Sequence, residues 1–122
     1  MKSKDYIMHL ITEMANFVVD RNPNRVVISL HQEEDGLHLC VLDSTDRSDN
    51  ELEEISVALN NDKRPELAEY YGTMAGSDLV GPPRLNFIGW QVKKADVSRT
   101  DIGTKIDLWL GSDNFDSSKF TI

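Results

Sequence analysis

The fold turns on the stretch Val26-Val-Ile-Ser-Leu-His-Gln-Glu-Glu-Asp-Gly-Leu-His-Leu-Cys-Val-Leu-Asp43. Val26, Ile28 and Leu30 alternate with Val27, Ser29 and His31. Beyond Asp35-Gly36, Leu37, Leu39 and Val41 alternate with His38, Cys40 and Leu42. A period of two is the mark of a strand with one buried face. Asp-Gly between two such runs signals a tight hairpin, because both central residues of a type I′ turn need positive φ. A two-residue turn at 35–36 pairs Leu30 with Val41 and Ile28 with Asp43. The aliphatic residues of both strands then share one side, and Asp43 shares it with them. In the same pairing His31 faces Cys40 on the opposite side.

Upstream, Ile7, Leu10, Ile11, Met14 and Val18 form a single helical stripe. Ser3 is the expected N-cap, and Asn22-Pro23-Asn24 ends the element. Downstream, Ser48-Asp49-Asn50-Glu51 fits a capping box, and Leu52, Ile55 and Leu59 supply the next stripe. A third helix is expected to start near Pro65 and stop before Gly72. Gly72, Gly76, Gly81, Pro82 and Pro83 make 72–83 the expected mobile loop. Leu85, Ile88 and Val92 predict a helix from Arg84 to about Lys94, with β-prone Phe87, Ile88 and Trp90 leaving a strand open. Residues 95–100 and 104–110 read as strands, the second carrying Ile106, Leu108 and Leu110 in alternation. The order α-β-β-α-α-loop-α-β-β gives an α+β domain: a two-layer sandwich with helices on one face of a mainly antiparallel sheet of about four strands. One domain is expected over 1–122, with a core at about 3–110 and a polar tail at 111–122.

Composition narrows the functional classes. Thirteen Lys and Arg against 21 Asp and Glu leave a formal charge of −8. Such a field repels phosphate, so neither nucleic acid nor an anionic membrane is an expected partner. A single cysteine forms no internal disulfide, and no apolar run reaches spanning length. The N-terminus lacks the apolar stretch of a signal peptide, and a cytoplasmic setting is the expectation.

The order of elements resembles the histidine-kinase-like ATPase (GHKL) fold, closest to the anti-sigma-factor serine kinases. Ile11-Thr-Glu-Met-Ala-Asn-Phe-Val-Val-Asp-Arg21 before Val26-Val-Ile-Ser-Leu30 is similar to that family's N-box helix and first hairpin strand. Asp35 to Asp43 resembles the strand ending in the aspartate that hydrogen-bonds adenine. Leu85 to Ala95 resembles the helix after the ATP lid, and Gly103-Thr-Lys-Ile-Asp-Leu-Trp-Leu110 the closing Gly-Thr strand. The resemblance covers roughly 11–110.

The departures bear on function. The resemblance implies a magnesium-holding asparagine four residues after a glutamate; counted from Glu13, that position is Phe17, which has no oxygen for a hard cation. Asn16 lies about 160° around the helix from Met14, on the solvent side. The glycines implied after Asp43 are replaced by Ser44-Thr45-Asp46-Arg47. The phosphate-binding glycines align with Pro82, which cannot donate, and Arg84, which could still meet an anion. The resemblance therefore implies a degenerate relative: a non-catalytic regulatory or signalling domain acting through a protein partner, without a cofactor. An active anti-sigma-type serine kinase, with ATP and magnesium, Glu13 as base and Asp43 on adenine, is the alternative. An acidic protein-binding module of no family relation is a third.

Three further readings come from the residues themselves. Asp43 is read equally as a ligand acceptor, with Arg84 as its cofactor-site companion, or as a strand terminator bonded to nearby amides. Asp43, Asp46 and Asp49 lack the ligand alternation of a calcium loop, and His31, His38 and Cys40 lack a fourth zinc ligand, so no metal site is assigned. Val27, Cys40, Leu42 and Trp109 fall on the sheet face away from the helices, which suggests a partner surface or a homodimer contact.

Overall fold

The computed structural model describes residues 3–34, 36–60, 85, 88–89 and 91–110. Helix α1 runs Ser3–Val19, strands β1 and β2 cover Val26–Glu33 and Gly36–Asp43, helix α2 covers Asp49–Leu59, and strands β3 and β4 cover Val92–Thr100 and Gly103–Leu110. The strands form one antiparallel sheet in the order β1-β2-β4-β3. Leu85, Ile88, Gly89 and Gln91 are helical. The expected helix near Pro65, the loop 72–83, Arg84 and the tail 111–122 lie outside the described residues.

The two periodicities explain the layers. Ile7, Leu10, Met14 and Val18 of α1, with Ile55, Ala58 and Leu59 of α2, are buried in one cluster with Leu39, Val41, Ile106 and Leu108 of the sheet. Both helices therefore cover the same face, and the expected α+β sandwich is what the chain forms. Each fully buried Leu or Ile contributes about 1.5–3 kcal/mol relative to exposure. Gly89 brings its helical segment against the end of α2, where a Cβ would stand 2.6 Å from the Ala58 carbonyl oxygen and 2.8 Å from that of Leu59. Among the described residues no helix is long and apolar enough to cross a membrane.

Three local expectations need correction. The hairpin register is Val26↔Asp43, Ile28↔Val41 and Leu30↔Leu39, closing on Glu33↔Gly36, so the expected turn at 35–36 does not form: Gly36 already belongs to β2. The glycine has φ 141° and is the first residue of β2. A shift of two residues preserves every face, so the core assignment stands while each cross-strand neighbour changes. His31 consequently faces His38, and Cys40 faces Ser29. Second, β3 begins at Val92, so Val92 to Lys94 belong to a strand that opens on a bulge between Val92 and Lys94. Third, α1 includes Ser3 rather than starting after it.

Candidate functional site

Asp43 ends β2 on the inner face, beside Thr104 of β4. Gly103 permits that approach: a Cβ there would lie 2.0 Å from the Asp43 carbonyl oxygen. The Asp43 carboxylate is 1% exposed and fully engaged. The Thr45 amide donates to Oδ1 at 2.8 Å, and Arg47 Nη1 donates to Oδ1 and Oδ2, each at 3.0 Å. The Arg47 side chain is also 1% exposed, and its guanidinium lies 5.5 Å from the centroid of the Phe17 ring. A buried charge pair of this kind holds only when the remaining groups are well placed. Here Arg47 Nη2 and Thr45 Oγ1 are buried without a hydrogen-bond partner.

The segment carrying Arg47 is anchored at several points. Ser44 exchanges bonds with Arg25: its amide donates to the Arg25 carbonyl at 3.1 Å, and its hydroxyl accepts from the Arg25 amide at 3.1 Å. Thr104 Oγ1 donates to the Thr45 carbonyl at 2.9 Å. Arg99 Nη2 donates to the Arg47 carbonyl at 3.0 Å and to Asp49 Oδ1 at 2.8 Å. The capping box forms as its sequence predicts: Ser48 Oγ accepts from the Glu51 amide, and Glu51 returns a carboxylate oxygen to the Ser48 amide. Glu51 also pairs with Arg21, just past the end of α1. The hydrogen bond to Arg21, with that to Ser48, holds the Glu51 carboxyl below the usual carboxylate range, and the same contact raises Arg21.

These contacts place the sequence candidates. Asp43 is joined not to a free acceptor space but to Thr45 and Arg47. Glu13 is half-buried on α1, one turn before Phe17, and Asn16 is exposed. Phe17 packs against the core and under Arg47. Arg84 lies outside the described residues. Arg47 is the residue that sequence reasoning missed. The signal was the demand of a core-side carboxylate for a partner, since Arg47 is the first cation after Asp43 in the chain.

The opposite sheet face carries a second polar group. Its rows across β1, β2, β4 and β3 are His31, His38, Trp109, Lys94, then Ser29, Cys40, Asp107, Asp96, then Val27, Leu42, Lys105, Ser98. The His38 and Trp109 rings stack at 4.7 Å with 2° between planes, and Lys94 Nζ lies 5.0 Å from the Trp109 centroid. His38 Nε2 is 2.7 Å from Asp107 Oδ1; a carboxylate only accepts, so this nitrogen carries the hydrogen. Cys40 is buried beside Asp107, and both the burial and that negative charge push its thiol above the ordinary range. A raised thiol is the opposite of an activated nucleophile. Among the described residues no group of three His, Cys, Asp or Glu is placed to hold a metal ion. The face is thus a mixed one, with apolar residues concentrated at Val27 and Leu42, where a shallow cleft of about 90 Å³ opens between Arg25, Thr100 and Ile102.

No protein-family model, curated protein or solved structure matches the chain.

Proposed function

We propose that this chain is a non-catalytic regulatory or signalling domain that acts by binding another protein, built on a degenerate histidine-kinase-like ATPase scaffold. The observation that carries the reading is the Asp43–Arg47 pair. In the resemblance, the aspartate accepts from adenine. In this chain both of its oxygens accept from a guanidinium that is itself 1% exposed. A base seated against Asp43 would have to displace Arg47 and leave that guanidinium buried without its carboxylate, a large penalty.

The metal position supports the same reading. Phe17 offers a ring face to Arg47 rather than an oxygen to magnesium. Phosphoryl transfer rests on positioning and on neutralising phosphate charge, and neither Phe17 nor a committed Asp43 contributes to that. A scaffold freed from turnover still offers surfaces for a protein partner, and the charge of −8 favours a partner with a basic face.

Titration calorimetry with ATP and magnesium tests the reading. The expected result is no binding up to about 1 mM nucleotide, the weak end of specific association. Micromolar, magnesium-dependent binding would overturn it in favour of the kinase reading.

A further inference from the structure

The geometry points to the outer edge of β1 as a self-association surface, on which a second copy of this chain adds its own β1 antiparallel and makes one continuous sheet. The two edges of the sheet are unequal. Strand β3 is guarded. It opens on a bulge, carries Lys93, Lys94 and Arg99, and is covered at Ala95 by the C-cap residue of α2. Asn60 Nδ2 donates to the Ala95 carbonyl at 3.0 Å, and the Ala95 amide donates to Asn60 Oδ1 at 3.2 Å. Bulges, charges and covering groups are the means by which proteins keep a sheet edge from recruiting further strands.

Among the described residues strand β1 has no bulge and no strand or cap laid over its outer edge, and its only Asp, Glu, Lys or Arg is Glu33 at its end. It runs eight residues, Val26–Glu33, in unbroken register, with no proline and no Lys or Arg among them. Among the described residues only β2 pairs with it. The Arg25 carbonyl accepts from Ser44, so odd-numbered residues turn their backbone groups toward β2. Val26, Ile28 and Leu30 therefore turn theirs outward. The core is also incompletely covered along this side. Val26, Ile28 and Leu30, with Ile11 of α1, are only partly buried, whereas Leu39 and Leu108 on the inner strands are at 1% and 0%. An edge of this kind is a template for strand addition.

Charge selects the occupant and the register. Pairing that keeps both helical layers on one side requires residues of like parity to face each other. A two-fold axis through Ser29 meets that condition. It sets Ile28 opposite Leu30 of the second copy, Val27 opposite His31, and Arg25 opposite Glu33, each contact occurring twice. Arg25 and Glu33 are both exposed, and Arg25 makes no ion pair among the described residues. The strand is thus complementary to itself: aliphatic at its centre, cationic at one end and anionic at the other. The charge of −8 on each copy opposes this association, and at physiological salt that repulsion is screened beyond about 8 Å.

Two measurements on the full chain test it. In sedimentation at about 0.15 M salt and up to about 1 mM protein, the expected species is a reversible dimer of the 13.8 kDa chain. Arg25→Glu and Glu33→Arg should each raise the dimer dissociation constant about tenfold, and the double exchange should restore it. Ser29→Cys, made with Cys40→Ala because Ser29 faces Cys40 within the hairpin, should form an intermolecular disulfide on oxidation. The paired Cα atoms would be about 4.5 Å apart, within disulfide range. Ser98→Cys on the guarded edge, also with Cys40→Ala, should not. A monomer throughout, charge reversals without effect on a dimer, or equal cross-linking at 29 and 98 would each overturn the proposal, including the case in which the edge receives a strand from a different protein.

Discussion

Two aspartates on opposite faces of one sheet are handled in opposite ways. Asp43 faces the helices, and its side chain and that of its partner Arg47 are each 1% exposed. Asp107 faces away and keeps 11% of its side chain exposed; it is shared between His38 at 2.7 Å and Lys105 at 3.7 Å. On the inner face a carboxylate tolerates only a permanent cation fixed by packing, because losing that partner leaves a charge in the core. On the outer face water and two weaker partners suffice. The lesson for function is that an aspartate at a strand end identifies a binding site only when its acceptors are free. Asp43 stands at a strand end on the inner face and lacks that freedom.

The largest expected effect is on the inner pair. Asp43→Ala should cost about 3–5 kcal/mol in denaturant unfolding, since it strands Arg47. Replacing both residues together by Leu and Met should cost much less, because no unpaired charge is left. If instead Asp43→Ala proves as mild as a surface change, the contrast between the two faces collapses.

A smaller effect sharpens the role of the connecting segment. Ser48→Ala removes the N-cap of α2 and should lower stability by about 1 kcal/mol, read from the shift in urea midpoint. An unchanged midpoint would mean that Arg99 and Thr104, rather than the cap, set the path that carries Arg47 to Asp43.

The smallest effect is the pH dependence, and its two limbs have opposite signs. Glu51 has its folded pKa depressed by Arg21, so its contribution is present above the ordinary carboxylate range. It is lost as pH falls through the depressed value. Cys40 has its folded pKa raised by burial, so its contribution is present below the ordinary thiol range and fades as pH rises beyond it. Melting temperature followed with pH should fall less steeply on the acid side in Arg21→Ala and on the alkaline side in Cys40→Ala. Unaltered slopes would remove these two groups from the account.

The comparison also explains what was legible in the sequence. The faces of β1 and β2 were, because alternation fixes parity whatever the turn. The register was not, because Glu34-Asp35-Gly36 admits a turn at either of two adjacent pairs and both give the same faces. The capping box at Ser48 was legible because it is a local contact of fixed spacing. The need of Asp43 for a partner was legible from its inward position. The partner was not, because the path of 44–47 follows Ser44, Thr45 and their bonds to β1 and β4, which no periodic pattern encodes.

The most direct test is a double-mutant cycle in urea with Asp43→Ala, Arg47→Ala and both together. The account predicts a coupling of about 3 kcal/mol or more, with the double variant far less destabilised than the sum of the singles. A coupling near zero would contradict it, because the Asp43 carboxylate would then not depend on Arg47 and would be open to a ligand.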